Sequence, residues 1–180
     1  MKLLEKLKSM KKGTKIILAL VILGAIGSMF MQEESADNMS VSNIEQQENE
    51  AKEPSLTKEE LLSKLEGYEI LINNHLEGFA KVAETGDNEK MKQLFKETST
   101  AAEATRGLLS DTIKEYNSET NEYKAINELK TAFNSLKDAC NAGVKYIDSN
   151  EEKYLNKYEN NIDQVNIFVD RFNEVKSNIK

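Results

Sequence analysis

Residues 152–180 read EKYLNKYENN IDQVNIFVDR FNEVKSNIK, and the placing of the apolar side chains in this stretch decides the fold. Leu155, Tyr158, Ile162, Val165, Val169, Phe172 and Ile179 follow one another at alternating steps of three and four, with one missed position at Lys176. A strand would alternate at every second residue, whereas this spacing lines the side chains along one side of a helix. Held at a period of about 3.5, the stripe also predicts near-parallel packing against another helix with a left-handed supercoil.

The same pattern occurs three more times upstream. Tyr123, Ile126, Leu129, Phe133, Leu136, Cys140, Val144 and Ile147 mark a helix that gives way at Asp148–Glu152, where Ser149 and Glu152 have capping-box spacing. Before it, Met91, Leu94, Phe95, Thr98, Ala101, Ala102, Thr105, Leu108, Leu109, Ile113 and Tyr116 run from a start beside Asp87 to a break among the turn formers Asn117–Asn121. The middle of that segment, TSTAAEATRG, is rich in small residues that let a neighbouring backbone come close. The first of the four carries Leu61, Leu65, Tyr68, Ile72, His75, Phe79 and Val82. It opens on a capping box at Thr57 and Glu60 and stops at Thr85-Gly86-Asp87. One proline and eight glycines leave too few turns for a sandwich or barrel. Four amphipathic helices joined by short turns fold most economically as an all-α, antiparallel up-down-up-down four-helix bundle over residues 56–180. A pair of long hairpins that completes its core as a homodimer is the alternative.

What precedes the bundle is of another kind. Residues 1–15 form a basic stub with six lysines against Glu5 alone. Residues 16–31, IILALVILGAIGSMFM, are apolar or small throughout and span about 24 Å as a helix, against a hydrocarbon core of roughly 30 Å. Lys15, whose ammonium can snorkel to the headgroups, together with Ile16, Leu20, Leu23 and Phe30, makes this a candidate signal-anchor in the cytoplasmic membrane. The lysines hold the N-terminus inside and send the bundle outside the cell membrane. A cut near Gly27, after the small residues Ala25 and Gly27, would instead release a secreted protein. Residues 32–55 carry seven acids against Lys52 and no apolar period, the composition of a disordered spacer.

Charge and chemistry narrow the function. Beyond the spacer, 23 acidic side chains outnumber 17 basic ones, the wrong sign for a nucleic-acid binder. No phosphate loop, GxSxG or HExxH motif occurs, and the lone Cys140 excludes an internal disulfide. Folding the four helices back at their turns brings His75, Thr98, Cys140 and Tyr158 to one height, as a polar core layer that would fix helix register. His75 and Cys140 are too few ligands for a structural zinc. No catalytic residue, metal or cofactor is expected. Tyr123, Tyr146 and Tyr154 are a candidate contact patch towards the turn between the third and fourth helices. The resulting expectation is a membrane-tethered, non-enzymatic module that binds a protein partner at the cell surface. The alternative is a sensory or ligand-binding bundle with a small molecule near His75 and Cys140.

Overall fold

A computed structural model describes residues 54–179, and these form four α-helices with no strand among the described residues. They are α1 (Lys58–Thr85), α2 (Asn88–Thr112), α3 (Asn121–Ser149) and α4 (Glu152–Lys176), with a single 3-10 turn, Ile113–Glu115, between α2 and α3. The stub, the apolar segment with Lys15, Ile16, Leu20, Leu23 and Phe30, and the spacer up to residue 53 lie outside the described residues. Among the described residues, no helix is long and apolar enough to cross a membrane.

Local chemistry sets most of the ends. At α1, the Thr57 hydroxyl oxygen accepts from the Glu60 N–H (3.2 Å), and the Glu60 carboxylate accepts from the Thr57 N–H (2.9 Å). Each group satisfies a donor that the first turn leaves without a partner. The helix stops where Gly86 turns left-handed at φ 68°, and Asp87 then caps α2 by accepting from the Lys90 N–H (3.0 Å). Thr120 caps α3 in the same way, through the Tyr123 N–H (3.2 Å).

Two ends differ from the sequence reading. No Ser149–Glu152 capping box forms: Ser149 is still inside α3, and its hydroxyl donates to the Lys145 carbonyl (2.9 Å). The chain turns one residue later, at left-handed Asn150 (φ 55°), and α4 begins at Glu152, with Glu151 at the cap position making no side-chain cap bond. Likewise α2 ends at Thr112 rather than near Tyr116. The chain tightens there into the 3-10 turn, with Ile113 still buried.

Helix directions follow from which residues meet. His75 and Phe79 of α1 touch Thr98 and Phe95 of α2, so these two helices run in opposite senses. Lys137 of α3 bonds Glu103 of α2 (3.0 Å), and Lys92 near the start of α2 pairs with Asp148 near the end of α3. Glu69 of α1 accepts from Asn173 (2.8 Å) and Lys176 (3.0 Å) at the far end of α4. The core is filled by Leu61, Leu65, Ile72 and Phe79 from α1, Met91, Phe95 and Leu109 from α2, and Tyr158, Ile162, Val165 and Phe172 from α4.

α3 is the most enclosed of the four. Besides Ile126, Leu129, Phe133, Leu136 and Cys140, it buries a second strip of small residues, Ala125, Ala132, Ser135, Ala139 and Ala142. This strip repeats at heptad spacing on the side where Glu128 feels the charge of Arg171 on α4. Small side chains allow close backbones, and α3 with α4 is the most extensive helix pairing, followed by α2 with α3. α1 stands further off, on its leucines, isoleucine and phenylalanine.

Candidate functional site

Of the four polar core residues read from the sequence, two bond directly. His75 Nδ1 and Thr98 Oγ1 are 3.0 Å apart, between α1 and α2. Thr98 is fully buried and His75 half-buried, and burial lowers the imidazole pKa below its ordinary value. Its other nitrogen, Nε2, is buried without a hydrogen-bond partner. A neutral ring leaves one uncharged nitrogen unmatched, while an imidazolium would bury an unpaired charged donor. The geometry therefore favours neutral histidine as a linking group rather than a proton shuttle.

Cys140 is fully buried on α3, and burial pushes its thiol pKa far up. It is a core filler and not a nucleophile, since reactive cysteines need an accessible, stabilised thiolate. Tyr158 is also buried, close enough to Cys140 that a charge on one would be felt by the other. Its ring belongs to an aromatic set that the sequence reading did not assemble. Phe79 meets Phe95 edge to face at 4.9 Å, and Phe95 meets Tyr158 at 5.4 Å, so one chain of rings joins α1, α2 and α4. Gly143 of α3 makes room for it: a Cβ there would lie 2.5 Å from the Phe95 ring.

The tyrosine patch is corrected by the structure. Tyr123 lies in the first turn of α3 and Tyr146 in its last turns, about 35 Å apart along the helix axis. Tyr123 therefore shares no surface with the other two. Tyr146 is buried, whereas Tyr123 and Tyr154 are partly exposed, and the Lys145 and Lys153 ammonium groups lie 5.7 and 4.8 Å from the Tyr154 ring centre.

A different surface emerges on the outer side of α1 and α2. Ile70 and Leu108 are 58% and 55% exposed, the large apolar side chains left open to solvent among the described residues. The antiparallel register of α1 and α2 places them about 7 Å apart in height. Along its own helix each has exposed small or uncharged neighbours: Gly67, Asn73 and Asn74 beside Ile70 on α1, and Ala104 and Gly107 beside Leu108 on α2. The acids beside this window are each paired: Glu66 and Glu69 with Lys176 of α4, Glu103 with Arg106 and with Lys137 of α3, and Asp111 with Lys114. Both glycines are helical, and a Cβ on either would meet nothing within 4 Å. The signal was present in the sequence as a thinning of charge over residues 67–76, GYEILINNHL, where Glu69 alone is ionised.

Among the described residues, no three His, Cys, Asp or Glu side chains are placed to hold a metal ion. Neither a protein-family model, nor a curated protein, nor a solved structure matches the chain.

Proposed function

We propose that this protein is a membrane-tethered, non-enzymatic interaction module. Residues 16–31 anchor it in the cytoplasmic membrane and residues 32–55 space it from the surface. An up-down-up-down bundle, packed like a left-handed coiled coil, then presents the outer side of α1 and α2 to a protein partner outside the cell membrane. The observation that carries this reading is the exposure of Ile70 and Leu108 on stretches of α1 and α2 that carry little charge. Interface cores are depleted of charge, and exposed glycines in helix interiors are unfavourable unless something else uses the flat surface. The side chains best suited to chemistry, His75 and Cys140, are engaged in packing.

A second reading, a small molecule held between helices near His75 and Cys140, draws on the unpartnered His75 Nε2. The two separate by crosslinking and affinity capture from cells that express a tagged and an untagged copy of the full chain, with captured N-termini read by mass spectrometry. Capture of one protein in near-equal amount, whether a different chain or the untagged copy, with Met1 or Lys2 retained, supports the tethered module. Tagged chain alone, beginning at Ser28, overturns it in favour of a released bundle.

A further inference from the structure

The window around Ile70 accepts one occupant that the charges of α1 select. We propose that a second copy of this chain docks there, α1 against α1, antiparallel about a two-fold axis at Ile70. The inference rests on reading this face as a docking surface and adds the identity of what covers it.

The exposed edge of α1 runs Glu59, Ser63, Gly67, Ile70, Asn74, Glu77 and Lys81, all solvent-facing and at heptad-like steps. Two copies of an acidic domain repel wherever acid meets acid, so only a face with little charge, or with charges that cross over, can pair with itself. A parallel pairing would set Glu59 on Glu59 and Glu77 on Glu77. The antiparallel pairing centred on Ile70 sets Glu59 of each copy opposite Lys81 of the other, twice by symmetry. It also sets Glu77 opposite Ser63 and Glu66 opposite Asn74, with no acid directly facing an acid. In the isolated chain Lys81 reaches Glu77 across 3.5 Å, so it stands ready beside the position that the mate's Glu59 would take. At the centre, Ile70 meets its own symmetry mate, and Gly67 on either side lets the two backbones approach.

The test places a photoreactive p-benzoylphenylalanine at position 70 in the full-length chain, in its own cells, with the same substitution at exposed Asn160 of α4 as control. The expected product is a covalent adduct of twice the chain mass, with both peptides from α1, absent from the Asn160 control. Glu59→Lys should reduce that adduct several-fold, and Glu59→Lys combined with Lys81→Glu should restore it. An adduct to a different protein at position 70 overturns the second copy as occupant and leaves the docking reading standing. No adduct above the control overturns both.

Discussion

Gly67 and Gly143 both lie inside helices, where glycine is about 1 kcal/mol less favourable than alanine, but their surroundings differ. Nothing lies within 4 Å of a Cβ at Gly67, so Gly67→Ala is expected to stabilise the bundle by about 0.5–1 kcal/mol in urea unfolding. At Gly143 the added methyl would strike the Phe95 ring, which is held between Phe79 and Tyr158. Gly143→Ala should therefore destabilise, by about 1–3 kcal/mol, despite the better propensity of alanine. His75 adds a pH dependence whose sign follows from its lowered pKa. The unfolded chain takes up the proton first, so this contribution is intact above about pH 6.5 and declines as pH falls below it. His75→Gln should flatten that decline: the difference in unfolding midpoint between wild type and variant is expected to change between pH 7.5 and pH 5.5, with wild type losing more. A constant difference would show that the ring's protonation is not coupled to folding.

At the level of the helices, stability and boundary are set by single cap residues. Asn150 ends α3 in the left-handed region, which glycine adopts without strain and β-branched residues resist. Asn150→Gly should leave thermal stability within a few tenths of a kcal/mol, whereas Asn150→Val should lower it by about 1 kcal/mol or more, measured by thermal melts. Periodicity made the four helices and their inward faces legible, because each stripe reports a burial that the structure then shows: Leu61, Phe95, Leu136 and Phe172 are all enclosed. The Ser149–Glu152 spacing misleads because it is indifferent to where a helix stops: Ser149 lies inside α3, where its hydroxyl has a partner in its own helix. The small strip on α3 was hidden because alanine and serine carry little weight in a hydrophobic pattern, although they decide how near α4 can come. For the candidate site, the meeting of His75 with Thr98 could be worked out by counting residues back from the turn at Gly86. The aromatic chain could not, since it crosses the bundle from α2 to α4 and depends on an empty volume at Gly143.

Across the whole molecule, burial is uneven, and so should be its resistance to opening. α3 is enclosed on two sides, whereas α1 is the helix held furthest from its neighbours. Native-state hydrogen exchange should find the slowest amides in the centre of α3 around Phe133–Cys140, and markedly faster exchange along α1. Equal protection in the two helices would mean that the bundle opens only as a unit. One last consequence follows from how the described chain enters and leaves. Ser55 bonds Glu115, in the 3-10 turn that follows α2, through both its backbone N–H (2.8 Å) and its hydroxyl (2.6 Å). At the other terminus the Asn178 carbonyl accepts from Asn121 at the start of α3 (3.0 Å). Entry and exit thus share one end of the bundle. A pull applied between them would not slide the helices past one another against all their contacts at once; it would peel α1 and α4 apart from that end, turn by turn, so the bundle should yield to small forces however stable it is at rest.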